Sequence, residues 1–316
     1  MKTLNRILTL LLLILSCSCD DILEEDITDD TIQTTFPTEG IIVEGNITQF
    51  TWQNLDGADN YRVQVLNENQ IVEVDSLVTV NTASLTLEPG TYQWRVRGEN
   101  FAYNTSYSFP VNFSTQASTN LDDQEVSLLS PSNNLYSKNI NTIYTWTRLA
   151  SATSYNFELV KKLNGEQTIF QETEVTNGNI TLDATLFDED AEYIWKVKAL
   201  NATSESQFSQ RSFFLDRVAP NQPSLASPTD QDTTTTMVTF NWVNGTDTGN
   251  VESEITNTID IANDSDFNSI IFSVETLNNS VDYEFDSVGT YYWRIKAIDA
   301  ATNESDYSIV RSLVVE

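Results

Sequence analysis

All six tryptophans of this 316-residue chain fall into three pairs: Trp52 and Trp94, Trp146 and Trp195, Trp242 and Trp293. The spacing within a pair is 42, 49 and 51 residues, and first members stand 94 and 96 residues apart. A period near 95 residues is the size of a small domain. Solenoid repeats are shorter, roughly 20–50 residues. The chain therefore reads as three copies of one folding unit.

The surroundings of the tryptophans repeat as well. The first members lie in Phe50-Thr51-Trp52, Tyr144-Thr145-Trp146 and Phe240-Asn241-Trp242. The second lie in Tyr92-Gln93-Trp94-Arg95-Val96-Arg97, Tyr193-Ile194-Trp195-Lys196-Val197-Lys198 and Tyr291-Tyr292-Trp293-Arg294-Ile295-Lys296. In each, an aromatic, the tryptophan and a β-branched residue share one face at period two, and bases take the other. This predicts a half-buried antiparallel strand with tryptophan in the core. Tyr61, Val63 and Val65 alternate in the same way, as do Tyr155, Phe157 and Leu159. The third copy has Asn257, Ile259 and Ile261, with a polar residue where the others have tyrosine. No stretch of the body keeps a 3.6-residue apolar period for three turns, so the fold class is all-β, with two antiparallel sheets per unit.

Composition removes several function classes. The chain has no histidine, and its only cysteines are Cys17 and Cys19. That excludes a Ser-His-Asp triad, an imidazole zinc site, a four-cysteine metal site and a disulfide framework across the body. With 46 acids against 16 bases the formal net charge is −30, which argues against nucleic acid as a partner. There is no phosphate-binding glycine loop, dinucleotide fingerprint or His-Glu-x-x-His. The acids offer many pairs for glycoside hydrolysis, but no pattern sets two of them at the floor of a cleft. No catalytic residue and no cofactor are expected.

Lys2 and Arg6 precede and open an apolar stretch, residues 7–15, broken only by Thr9. It is too short to span a bilayer, which takes about 20 residues, and residues 1–16 read as a secretory signal. Ile14-Leu15-Ser16-Cys17 resembles a bacterial lipobox. Ser16-Cys17-Ser18-Cys19-Asp20-Asp21 is similar to the start of Bacteroidetes surface lipoproteins. The resemblance implies lipid on Cys17, with Cys19 as the alternative. It further implies a lipid anchor in the outer membrane and exposure at the cell surface. Residues 17–36 follow as an acidic tether, since residues 20–30 hold seven acids and no base. Asp30-Thr31-Ile32 looks like the O-glycosylation signal of the same group, with Thr31 as acceptor.

Leu129-Ser130-Pro131 opens the second unit, and Pro223 with Ala226-Ser227-Pro228 opens the third. The units resemble fibronectin type III-like domains of bacterial surface proteins. The second carries the pattern at Leu129, Pro131, Trp146, Ala152, Tyr155, Trp195, Ala199, Ser209, Arg211 and Phe213. The third carries it at Gly289, Tyr291, Trp293, Arg294 and Ala297. The first is most divergent, with Gly98 for the small alanine and no opening Leu and Pro. The resemblance implies tandem immunoglobulin-like (fibronectin type III-like) β-sandwiches over residues 37–117, 126–217 and 221–316. It is specific for fold and weak for function.

The reading that follows is a non-enzymatic, surface-anchored lipoprotein. It would mediate protein interaction, adhesion or envelope-complex assembly, with an envelope protein as partner. The alternative is a glycan-binding accessory protein of a polysaccharide-uptake system, taking an extracellular glycan on Phe101, Tyr103 and Tyr107, with Tyr136 a lesser contact. Asp247, Asn250, Glu252, Glu254 and Asp299, with Asn303, supply oxygen donors of the kind calcium takes. They lack the regular spacing of an EF-hand, and acidic loops are expected in so acidic a chain.

Overall fold

A computed structural model describes residues 24–316. The signal segment, Cys17 and Cys19 lie outside the described residues. Regular structure among the described residues is strand, apart from one 3-10 turn at Ala184–Leu186 capped by Asp183. They divide into two compact units, one ending at Ser118 and one running Thr119–Glu316.

The first unit holds one sandwich. Its strands are β1 (Thr34–Phe36), β2 (Ile41–Glu44), β3 (Ile47–Trp52), β4 (Asn60–Asn67), β5 (Val72–Val78), β6 (Thr82–Thr86), β7 (Gly90–Glu99) and β8 (Val111–Gln116). One sheet has the order β1-β3-β6 and the other β2-β8-β7-β4-β5. The second unit repeats this order twice. Its first eight strands are β9 (Leu128–Ser130), β10 (Leu135–Ser137), β11 (Ile143–Trp146), β12 (Ser154–Lys162), β13 (Glu166–Val175), β14 (Asn179–Thr181), β15 (Ala191–Leu200) and β16 (Ser209–Leu215). The last eight are β17 (Ser224–Ser227), β18 (Asp232–Thr234), β19 (Met237–Val243), β20 (Thr256–Ala262), β21 (Ile270–Thr276), β22 (Ser280–Glu284), β23 (Gly289–Ile298) and β24 (Arg311–Val315). The sheets are β14-β11-β9 with β10-β16-β15-β12-β13, and β17-β19-β22 with β18-β24-β23-β20-β21. All pairs are antiparallel except β2–β8, β10–β16 and β18–β24, where each sandwich's second strand runs parallel to its last.

Alternation does the sorting. On β7, β15 and β23 the tryptophan, its flanking aromatic and the β-branched residue are buried, while the bases between them stay partly exposed. Trp94, Trp195 and Trp293 sit between the sheets with edge-on partners Phe50, Tyr144 and Phe240 at 5.1, 5.3 and 4.9 Å. Burying a side chain of this size contributes on the order of 2–3 kcal/mol. Asn257 keeps the register of the tyrosines it replaces. It faces Ala297 across the sheet as Tyr61 faces Gly98 and Tyr155 faces Ala199.

Buried hydroxyls complete the ladders. Beyond the start of β8 and β24 an irregular segment replaces the regular strand on one side of β7 and β23, and side-chain hydroxyls take the N–H groups that face it. Ser108 accepts from Val96 N, Thr105 from Gly98 N, Ser308 from Ile295 N and Ser305 from Ala297 N, at 2.9–3.1 Å. Ser209, read as a family mark only, accepts from Val126 N.

The tether expectation is corrected at its C-terminal half. Ile27 and Ile32 are buried, and β1 pairs with β3. The side-chain amide of Asn100 donates to the carbonyls of Glu25 and Gly57. The acids and threonines around them dominate the composition, but two isoleucines five residues apart suffice to dock the segment. Leu121 and Val126, equally spaced, do the same in the second sandwich. The opening proline is also present in the first copy. Thr34 faces Trp52 as Leu128 faces Trp146 and Leu225 faces Trp242, so Pro37 matches Pro131 and Pro228. All three follow a cis peptide bond, and the Pro37 carbonyl accepts the Trp94 indole N–H at 3.1 Å.

Candidate interaction surfaces and an acidic loop cluster

The aromatic residues singled out in the first sandwich divide by environment. Phe101 is 94% exposed, in a loop that Asn100 fixes by accepting from the N–H groups of Ala102 and Tyr103. Tyr103 is exposed beside it. Tyr107 is half-buried: Arg95 and Arg97 stack on its ring at 4.3 and 4.9 Å, and burial pushes its phenol up. Phe109, which the sequence reading passed over, is 91% exposed. With Thr31, Ile32, Ser106, Tyr107 and Val111 it lines an open cleft of about 590 Å³. Thr31 is exposed at that rim. Tyr136 stacks on Phe214 of the paired strand at 4.5 Å.

The bases between the core aromatics face acids or amides across the sheet. Arg95 lies opposite Gln64, Lys196 opposite Glu158 and Arg294 opposite Asp260. Arg62 and Arg97 lie opposite each other, a repulsive pairing. Glu99 resolves it by binding both, at 2.7 Å each, and Asp75 takes a further contact from Arg62. These bonds, with Arg62 first, hold the Glu99 carboxyl below its ordinary value of 4.5. A carboxyl held down in the folded state stabilises fully above the ordinary value. That contribution is lost as pH falls through the lowered one. Glu99→Gln should therefore cost stability at pH 7 and flatten the first unit's decline below about pH 4.5, read by urea unfolding at stepped pH. An unchanged acid limb would remove this role.

Each larger sheet ends on an outer strand with one unpaired side: β5, β13 and β21. Val72 and Leu77 on β5, and Ile270 and Ile271 on β21, are exposed aliphatic residues there. Such edges accept a further strand unless charge or a bulge blocks them; β5 and β21 each carry a one-residue bulge near the start, at Glu73 and Ile271, which leaves Val74–Val78 and Phe272–Thr276 as their regular runs.

The calcium candidates also separate. Asn250, Glu252 and Glu254 are exposed in the β19–β20 loop. Asp247 of that loop and Asp299, just past β23, come together with Asp216, which follows β16. One carboxylate oxygen from each lies within 4.8 Å of the others. Asp247 accepts from Ser253 N and Oγ, and Asp299 from the backbone and side-chain amides of Asn303. Asn303 also donates to the Asp216 carbonyl. Asp216 is 1% exposed; Val218 N donates to its Oδ1, and its Oδ2 has no partner. Burial first, then the neighbouring carboxylates of Asp299 and Asp247, push its carboxyl up to about 6. Asp216 had no signal in local spacing. It lies 31 residues before Asp247, and only the packing of the third sandwich's loops on its entering segment joins them.

No protein-family model matches this chain, and no curated protein matches it. Among solved structures it is similar to the FN1–FN3 domains of chicken CNTN1, with TM-score 0.44 and 16% identity over 90% of this chain and 97% of that one. It is also similar to the fibronectin(III)-like modules of Clostridium thermocellum CbhA, with TM-score 0.23 and 13% identity over 59% of this chain and 94% of that one. The strand order, three times a sheet of three against a sheet of five, is that of tandem fibronectin type III-like β-sandwiches.

Proposed function

We propose that this chain is a non-enzymatic lipoprotein, anchored through Cys17 at the outer membrane and displayed at the cell surface. Its sandwiches, assigned to residues 37–117, 126–217 and 221–316 with the docked segments before them, mediate protein interaction or envelope-complex assembly. The observation that carries this reading is the repeated open outer strand, β5 and β21 above all, with exposed aliphatic side chains. A partner strand can add there through main-chain hydrogen bonds, and alternate side chains supply specificity. The test is mild cross-linking of cells followed by affinity capture of the lipidated protein. A stoichiometric envelope protein is expected, and Leu77→Lys or Ile271→Lys should release it without lowering the Tm. Retention of the partner by both variants would discard the edge-strand reading. Protease added to intact cells should remove the protein, and Cys17→Ala should leave it without lipid; survival of the protein on intact cells would discard surface display.

The exposure of Phe101 favours a second reading, a glycan contact at the end of the first sandwich. There, Phe101→Ala should abolish binding in a polysaccharide panel and leave the Tm unchanged. A panel in which the parent chain binds nothing ends that reading.

A further inference from the structure

Three equivalent positions carry the argument. The residue just past β7 is Asn100, past β15 Asn201 and past β23 Asp299. Each is followed by the same isolated bridge: Glu99 with Asn104, Leu200 with Glu205, Ile298 with Glu304. In the first two sandwiches the asparagine amide holds two other pieces of chain. Asn100 Nδ2 donates to the carbonyls of Glu25 and Gly57, at 2.9 and 2.8 Å. Asn201 Nδ2 donates to those of Thr119 and Ser151, at 3.0 and 3.2 Å. One carbonyl belongs to the segment entering the sandwich. The other belongs to the loop after the first tryptophan.

In the third sandwich position 299 cannot donate, because aspartate has no side-chain N–H, and the Asp216 carbonyl takes its amide hydrogen from Asn303 Nδ2 instead, at 3.0 Å. The two partner segments change with it. Glu25, Thr119 and Asp216 each stand nine residues before the residue that faces the first tryptophan, namely Thr34, Leu128 and Leu225. The entering segment thus contributes Asp216 at this place. The loop after the first tryptophan is longer: Trp52 to Tyr61 and Trp146 to Tyr155 span nine residues, and Trp242 to Asn257 spans fifteen. The added length carries Asp247. Three carboxylates therefore converge where two sister sandwiches use amide hydrogens.

Among the described residues no base pairs with the three carboxylates; Lys138 reaches the Asp299–Asn303 turn but donates to the Thr302 carbonyl. Arg217, next to Asp216, pairs with Asp190; Lys296 pairs with Glu304 and Arg294 with Asp260. Asp216 Oδ2 is buried with no hydrogen-bond partner, and a buried anionic oxygen left so is costly. The three oxygens lie within 4.8 Å of one another, a span that two calcium–oxygen bonds of about 2.4 Å cover. Hard carboxylate donors without nitrogen or sulfur select calcium-class ions over zinc or copper.

We propose that Asp216, Asp247 and Asp299 form a calcium site that closes the third sandwich onto its entering segment, in the place of the asparagine amide used by the other two.

The test uses the full mature chain, stripped with EDTA and titrated with CaCl2 by calorimetry in about 0.15 M salt, which screens the diffuse acidic surface. One ion per chain is expected. At a hundredfold excess over its Kd, calcium should raise the Tm of the Thr119–Glu316 unit by roughly 5–10 °C. Asp299→Asn gives this position the side-chain amide of Asn100 and Asn201 and removes one carboxylate. It should abolish the one-ion heat while keeping the EDTA Tm at or above that of the parent, an outcome a merely structural aspartate would not give. Asp216→Asn should abolish binding too, and if it does not fold, Asp247→Asn decides in its place. Glu252→Gln, outside the cluster, should bind as the parent does. Absence of heat and of a Tm shift up to about 1 mM CaCl2, the weak range of extracellular calcium modules, would overturn the proposal. Undiminished binding by Asp299→Asn, or magnesium binding as tight as calcium, would overturn it as well.

Discussion

Trp195→Ala should lower the stability of the Thr119–Glu316 unit by about 3–5 kcal/mol. The indole is fully buried against partners on β11 and β12, with Tyr144 at 5.3 Å and Phe157 at 6.4 Å. Removing it loses its burial and opens a cavity that the close-packed aromatic neighbours can only partly fill. At roughly 2–4 °C per kcal/mol for a unit of this size, the loss is about 6–20 °C in Tm. The indole nitrogen of Trp195 has no hydrogen-bond partner, so its ring is held by packing alone. Trp195→Phe should accordingly recover more than half of the loss. Trp94, whose N–H reaches the Pro37 carbonyl, should recover less on the same change. Because the chain holds more than one cooperative unit, the transitions are to be resolved by calorimetry of the full chain. A Trp195→Ala loss below 1 kcal/mol would mean the pair of sheets is not packed as described.

Arg294→Met should be the costliest change on a sheet face, at about 2–4 kcal/mol. Asp260 is nearly inaccessible, and Arg294 reaches its Oδ2 through both Nε and Nη2 at 3.2 Å. The guanidinium itself lies over Tyr307 at 3.6 Å and Phe267 at 4.0 Å. Removing it strands a buried carboxylate, strips Phe267 of its cation and leaves Tyr307 only the more distant Lys296, at 5.6 Å. Ser273 still donates to Asp260 Oδ1, and Arg294 is 22% exposed, which keeps the cost below that of a fully buried pair. Adding Asp260→Asn to Arg294→Met should return more than half of the loss, because a neutral amide tolerates burial better than an unpaired anion. A double-mutant cycle by urea unfolding measures this, and additive losses would show that the two side chains do not act as a pair. The equivalent Lys196, opposite Glu158, serves as the milder comparison.

The strand architecture was legible because it rests on a local rule. Period-two alternation around each second tryptophan fixes which face is buried, and the structure buries those faces. The sandwich order follows from repetition of the same signals at a domain-sized interval. Three features were not legible, each for a physical reason. Ile27 and Ile32 dock within a segment whose average composition is that of solvated chain, and averages hide two well-placed apolar groups. Tyr107 lies in an aromatic-rich loop with Phe101, but Arg95 and Arg97 cover its ring from the neighbouring strand. Asp216 joins Asp247 and Asp299 through packing between distant segments, which no spacing rule reports. The change from Asn100 and Asn201 to Asp299 was present in the sequence. It acquires meaning only once the strands show that the three positions are equivalent.

The parallel pairs β2–β8, β10–β16 and β18–β24 have a mechanical consequence. Each joins a strand near the start of its sandwich to the strand at its end, over four, three and three residue pairs. Tension on the two ends of a sandwich pulls such strands in opposite directions along their own axes. The cross-strand bonds are then loaded together in shear and must yield together, whereas an antiparallel hairpin pulled from its open end unzips one bond at a time. A chain built this way three times over resists stretching through its topology, whatever it is stretched between.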